Sequence, residues 1–204
     1  MMFLSRLTLT LQDYRAFRIT DDYSIHRVVY SLFPENADPG RILYADRGVR
    51  NALHTILILS KIRPVCSPET PQHIETKEIE PGFLKHSRYA FEILLNPVRQ
   101  ETRSRKCVPI RGEILQYEWF LEKAAAHGFT LTPEDKARLV IRQMETQKFR
   151  QKDRPECSVH HHRVQFSGTL TVSDPELFQK AFEQGIGKAR AFGFGMLQLV
   201  PVWD

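Results

Sequence analysis

Val164-Gln-Phe-Ser-Gly-Thr-Leu-Thr-Val172, then Ser-Asp174-Pro-Glu-Leu-Phe-Gln-Lys-Ala-Phe-Glu-Gln184, then Gly185-Ile-Gly-Lys-Ala-Arg-Ala-Phe-Gly-Phe-Gly-Met-Leu-Gln-Leu199 is the stretch in which the fold is most legible. Val164, Phe166, Leu170 and Val172 alternate with Gln165, Ser167, Thr169 and Thr171, the period of a half-buried strand. Asp174 suits a helix cap and Pro175 a first turn; Phe178, Ala181 and Phe182 share one face, and Gly185 stops the helix. Phe194 to Val202 reads as a closing strand.

Working back from this unit, a short strand near Cys107 to Ile110 precedes a helix from about Gly112 to His127. Ile114, Leu115, Trp119 and Leu121 are expected inward, with Gly128 as the stop, and Ala137 to Met144 forms a strand. The order is βαββαβ. The first half nearly repeats it: Phe3, Leu7, Leu9 and Leu11 alternate as a strand, and Ile25, Val28, Val29, Leu32 and Phe33 recur at helical spacing between an Asp21 or Asp22 cap and Pro34. Arg41 to Asp46, Leu53 to Ser60, and Tyr89, Phe91, Ile93 and Leu95 supply three more strands. Residues 63 to 88 carry four prolines and no helical stripe, so the second helix of this half is missing. The expectation is an α+β chain of two tandem ferredoxin-like (βαββαβ, RRM-like) domains, residues 1–98 and 99–204, with a boundary near residues 97 to 105.

Glycines at 185, 187, 193 and 195 crowd around Lys188 and Arg190, and such a loop is able to present backbone N–H groups to a phosphate. Two familiar phosphate motifs are excluded. Phe182 stands where a Gly-x-x-x-x-Gly-Lys-Ser/Thr loop needs its first glycine, and Ala189 follows Lys188. A dinucleotide fingerprint from Gly185 would need Gly or Ala where Arg190 stands, and a helix rather than a strand precedes it.

The 204 residues are 42% hydrophobic, enough for packed cores, and contain no apolar run of membrane length and no export signal. Three scattered cysteines fit neither a disulfide framework nor a zinc site, which points to a reducing cytoplasm. The net charge of +5 is concentrated mid-chain, where Lys85 to Arg163 holds 16 Lys and Arg against 10 Asp and Glu. Two runs dominate: Arg99, Arg103, Arg105, Lys106 and Arg111, then Lys148, Arg150, Lys152 and Arg154 with His160, His161, His162 and Arg163. They favour a polyanion partner. His160 to His162 do not read as a metal site, because neighbours on a strand point to opposite faces and no acidic partner or Cys pair is near. At 100° per residue, His26 falls at the edge of the buried face of the first helix and shares a flank with Tyr23, a position able to line a cleft.

Gln184-Gly-Ile-Gly-x-x-x-x-Phe192-Gly-x-Gly-Met-Leu197 resembles the C-terminal signature of the CasE family, the repeat-RNA endoribonucleases of subtype I-E CRISPR systems. Tyr23-Ser-Ile-His26, Leu32-Phe33-Pro34, Asn96-Pro97, Lys106-Cys-Val-Pro-Ile110 and Phe166-Ser-Gly-Thr-Leu-Thr171 extend the resemblance along nearly the whole chain. The resemblance implies two ferredoxin-like domains and metal-independent cleavage of precursor CRISPR RNA at the base of the repeat hairpin. A ribose 2′-hydroxyl attacks the neighbouring phosphate, leaving 2′,3′-cyclic phosphate and 5′-hydroxyl ends. The protein then stays on the mature guide RNA among the other subunits of Cascade.

By the same resemblance the catalytic pair is His26 and Tyr23, with His26 open between acid and base roles, and no metal or cofactor takes part. Contacts to the repeat stem-loop RNA are expected from Arg27, Arg103, Arg105, Lys106, Lys148, Arg150, Lys152, His160, Arg163, Lys188 and Arg190, with Gly185, Gly187, Gly193 and Gly195 in the loop. The alternative is a non-catalytic RRM-like RNA-binding protein, since Arg190-Ala-Phe-Gly-Phe194 resembles part of that signature. Against it, Ala191 replaces a glycine and Leu197 an aromatic residue.

Overall fold

The computed structural model describes residues 1–34, 40–101, 107–151 and 154–203, with residues 145–151 and 154–160 described by backbone alone. Two compact units result: residues 1–81 with 190–193, and residues 82–189 with 194–204.

In the first unit β1 (Phe3–Leu9), β2 (Leu43–Arg50), β3 (Leu53–Ser60) and β4 (Ile74–Glu78) form an antiparallel sheet in the order β2-β3-β1-β4. This is the ferredoxin-like order. Helix α1 (Leu11–Ala16) follows β1 directly; the sequence reading missed it and ran the strand through Leu11, which is exposed. Helix α2 (Asp22–Ser31) is capped by Asp21, whose side chain accepts from the Ser24 N–H at 2.8 Å. Its buried face, Ile25, Val28 and Val29, packs with Leu7, Leu9, Ile42, Tyr44, Ile56 and Ile58. Pro64, Pro68 and Pro71 fall where the second helix of the unit would run, and proline there removes N–H donors and blocks a helix. A turn takes its place, closed by Ser67 N–H on Thr70 Oγ1 at 2.8 Å.

The second unit begins with β5 (Arg88–Leu95), which pairs with β10 (Arg154–Val172) and β11 (Gln198–Pro201). Here the sequence reading is corrected: Tyr89 to Leu95 is the first strand of the second half, not the fourth of the first, and the units divide near residue 82 rather than 98. The polar β4, Ile-Glu-Thr-Lys-Glu, carries one apolar residue and so gives no periodic signal in the sequence; an edge strand needs little more. The short strand at Cys107 is likewise not part of the main sheet. It is β7 (Cys107–Pro109), which among the described residues pairs only with β6 (Val98–Gln100).

Helix α3 (Glu113–Ala126), β8 (Phe129–Thr130), α4 (Pro133–Ala137), β9 (Val140–Gln151) and α5 (Pro175–Gln184) complete the unit, with β9 beside β10. The sequence expectation for α3 was partly wrong. Gln116, Trp119, Phe120 and Ala124 are buried, while Ile114 and Leu115 are exposed. Gln116 tolerates burial because its Nε2 donates to the Ile110 carbonyl at 3.0 Å. The core is aromatic: the Phe120 ring stacks on Phe166 at 4.4 Å and on Phe91 at 5.6 Å. Helix α5 matches expectation, with Asp174 as cap and Gly185 at φ +75° as stop. The closing strand is shorter than expected, because Phe194 to Leu197 runs as buried irregular chain before β11. No helix among the described residues is long and apolar enough to cross a membrane.

Candidate active site

His26 projects half-buried from α2, and three rings hold it: Tyr30 at 4.2 Å, Phe192 at 5.4 Å and Tyr23 at 5.9 Å between centroids. Tyr23 precedes it by three residues and Tyr30 follows by four, the spacings that meet on one helix face. Phe192 comes from the far end of the sequence, on the short 3₁₀ turn Arg190–Phe192 that belongs to the first compact unit.

The same turn fixes the proton on the imidazole. His26 Nδ1 lies 2.6 Å from the Ala191 carbonyl oxygen. A carbonyl only accepts, so Nδ1–H is the donor and Nε2 is the nitrogen that gains and loses a proton. Burial pushes the His26 pKa below the ordinary histidine value, opposed by the Ala191 hydrogen bond, which favours the charged ring. Burial has the larger effect, so at neutral pH the ring is uncharged and its Nε2 lone pair is available to a proton.

Beside this ring lies an open cleft of about 480 Å³, lined by Tyr23, His26, Arg27, Tyr30, Ser31 and Phe33 and, across from α2, by Ser67, Glu69 and Thr70 of the proline-rich turn. Tyr23 and Arg27 are exposed on it. Burial raises the Tyr30 hydroxyl, and the charge of Arg41 pulls it back down. Arg41 also acts on Arg190, whose pKa is lowered first by burial and then by this like charge. Two guanidinium groups thus repel each other in the unit that carries His26, an arrangement an anion would relieve. Arg41 was missed in the sequence, where a lone arginine before a strand gives no signal. The Ser67–Thr70 turn was missed as well, since it replaces an element the fold normally supplies.

Of the remaining expected residues, Gly193 falls in the first unit and the others in the second unit or outside the described residues. Arg103, Arg105, Lys106 and Lys152 lie outside the described residues. Lys148, Arg150 and His160 are placed by backbone on the β9–β10 hairpin, where Lys148 pairs with His160 and Arg150 with Ser158. Arg163 sits just past a register shift on β10, its Nε buried without a hydrogen-bond partner among the described residues. His161 is half-buried, edge-on to Phe194, and its pKa is lowered by burial. Lys188 donates to Cys107 Sγ at 2.8 Å.

The glycines depart from expectation. Gly185, Gly193 and Gly195 are buried, the Gly185 N–H bonds to the Ala181 carbonyl, and the Gly195 N–H bonds to the Leu94 carbonyl at 2.8 Å. Those two amides are therefore not presented to a phosphate. The RRM-like alternative also loses its basis, because that signature belongs on an open sheet face. Here Arg190 to Phe192 form a turn, Phe192 packs on His26, and Phe194 is fully buried.

The sequence profile of the CRISPR associated protein family matches residues 2–201. The CRISPR-associated endoribonuclease Cse3 of Thermus thermophilus is 23% identical over 211 residues, covering 98% of this chain and 100% of that protein. The Cascade subunit CasE of Escherichia coli is 26% identical over 196 residues, covering 89% of this chain and 93% of its own. Among solved structures, Thermus thermophilus Cse3 bound to an RNA representing a pre-cleavage complex superposes with a TM-score of 0.80 at 22% identity, covering 98% of this chain and 99% of that one. Escherichia coli Cas6e gives a TM-score of 0.72 at 22% identity, with 99% and 100% covered.

Proposed function

The chain belongs to the CRISPR-associated protein family, and from that premise we propose that it is an endoribonuclease of the CasE type. It cuts precursor CRISPR RNA at the base of the repeat hairpin without a metal ion, and it remains on the mature guide RNA as a cytoplasmic Cascade subunit. The observation that carries this reading is the imidazole of His26, held at Nδ1 by the Ala191 carbonyl with Nε2 left to exchange a proton beside an open cleft, where burial favours its neutral form.

In the proposed reaction Nε2 takes the proton of the ribose 2′-hydroxyl as the 2′-oxygen bonds to the adjacent phosphorus. The bond from phosphorus to the 5′-oxygen breaks, that oxygen leaves as a hydroxyl with a proton from solvent water, and Nε2 returns the proton it took to solvent. The products are a 2′,3′-cyclic phosphate and a 5′-hydroxyl end. Tyr23 orients the ribose or phosphate from the same helix face. Arg27, Arg41 and Arg190 stabilise the extra charge of the phosphorane. The basic β9–β10 hairpin and Arg163 grip the stem through its backbone, which suits A-form RNA, whose base edges lie in a deep groove.

Cse3 solved with RNA and CasE named as a Cascade subunit support RNA and Cascade as partners. The test is His26→Ala. It is expected to lower single-turnover cleavage of a repeat hairpin by about 10²- to 10⁴-fold, the contribution of one positioned proton-transfer group, while still shifting the hairpin on a gel. Full cleavage by that variant removes His26 from the mechanism.

A further inference from the structure

The four glycines of the C-terminal signature were expected to hold RNA, yet the residues they flank lead back to His26. Ala191, whose carbonyl accepts from Nδ1, is two residues before Gly193. Gly193 is buried and adopts φ +83°, a conformation that costs a residue with a Cβ. A Cβ built there would stand 3.0 Å from Tyr44 Cε2 and 3.5 Å from Tyr44 Cδ2. Tyr44 is itself only 2% exposed, in the core beneath α2, so it has little room to give way. Glycine at 193 therefore lets the chain turn tightly against Tyr44, and that turn sets the Ala191 carbonyl and the Phe192 ring against the imidazole.

We propose that Gly193, with Ala191 and Phe192, is a positioning element for His26 rather than an RNA contact: it holds the proton on Nδ1 and so makes Nε2 the reacting nitrogen. This rests on His26 being the proton acceptor in cleavage. An imidazole freed from the Ala191 carbonyl would distribute its proton between both nitrogens and turn about its χ angles, and every molecule with Nε2 protonated would be unable to act as the base. Substitution at 193 is thus expected to reduce the chemical step and leave hairpin affinity nearly intact, because the altered atoms lie in the core.

The test uses the full chain labelled with ¹⁵N-histidine and two-bond ¹H–¹⁵N correlation spectra, with His26→Ala identifying the His26 signals. In the wild-type protein above the His26 titration, Nδ1 is expected to be the pyrrole-type nitrogen and Nε2 the pyridine-type one. The reverse assignment overturns the proposal, and this reading needs no variant to fold. Gly193→Ala is then expected to show a mixed or reversed tautomer. Its cleavage at saturating hairpin should fall at least about tenfold, within the range of a positioned base, with the hairpin Kd changed less than about twofold. Weakened binding with an unchanged saturated rate would instead make Gly193 an RNA contact. Failure of the underlying reading looks different: His26→Ala would then cleave normally, whatever the tautomer.

Discussion

Gly128→Ala tests how tightly the second unit is built around its helices. Gly128 ends α3 at φ +79°, and its carbonyl accepts from the N–H groups of Ser173 at 2.9 Å and Asp174 at 3.1 Å, just before α5. A Cβ there would lie 2.4 Å from the Asp174 carbonyl oxygen, 2.6 Å from Phe178 N and 2.8 Å from Leu177 Cβ. Two of those neighbours are backbone of the first turn of α5, so relief requires moving the helix. The left-handed conformation alone costs a residue with a Cβ about 1–2 kcal/mol. Forced overpacking adds about 1–3 kcal/mol, and disturbing the two hydrogen bonds about 0.5–1.5 kcal/mol each. The expected loss is about 3–8 kcal/mol, a large part of the roughly 5–15 kcal/mol that stabilises a domain. Gly82→Ala is the control. Gly82 has φ −82° and ψ −11°, and a Cβ there meets nothing within 4 Å, so its change should stay within about 0.5 kcal/mol. Urea unfolding followed by the fluorescence of Trp119, which is buried in the second core, reads both. Equal midpoints for Gly128→Ala and wild type, or equal losses for the two variants, would show that neither the positive φ nor the contact with α5 requires glycine at 128.

Cleavage under saturating enzyme should rise with pH with its midpoint below 6.5, the ordinary histidine value, because burial lowers the folded pKa of His26 and the neutral ring is the active form; a rate that falls as pH rises through this range would assign His26 the acid role. The same shift fixes the sign for stability. The unfolded chain binds the proton more tightly, so the contribution of His26 is intact above pH 6.5 and is lost as pH falls from there through its lower folded pKa, a loss His26→Ala should abolish in acid unfolding curves. Arg190→Ala and Arg41→Ala should each flatten the log–log salt dependence of hairpin binding by roughly 0.7–0.9 if each neutralises one phosphate; unchanged slopes would place both arginines off the RNA path.

The sequence revealed the fold class because its strongest elements are amphipathic. The α2 stripe with its Asp21 cap, α5 from Asp174 to Gly185, and the alternation along β5 and β10 all appear where periodicity put them. Counting those elements into halves failed at β4, whose charged edge-strand composition hides it, and that one omission moved β5 into the wrong domain. For α3, apolar residues at its first turn were read as core although the sheet receives the Gln116–Phe120–Ala124 stripe instead. His26 was legible as a helix-edge histidine. Its partner was not, because the Ala191 carbonyl is backbone, 165 residues away in sequence, and carries no side-chain signal. Arg41 was hidden for a similar reason: only the fold brings its charge to act on Tyr30 and Arg190.

Metal-free, His26-dependent RNA cleavage is the central claim, and the most direct measurement is cleavage of a repeat hairpin from the same genome in EDTA, run alongside a copy carrying a single 2′-deoxy substitution at the scissile nucleotide. The all-ribose hairpin should be cut to a 2′,3′-cyclic phosphate, and the substituted one bound with similar affinity and left whole. A requirement for added magnesium, or cutting of the 2′-deoxy hairpin, would contradict it.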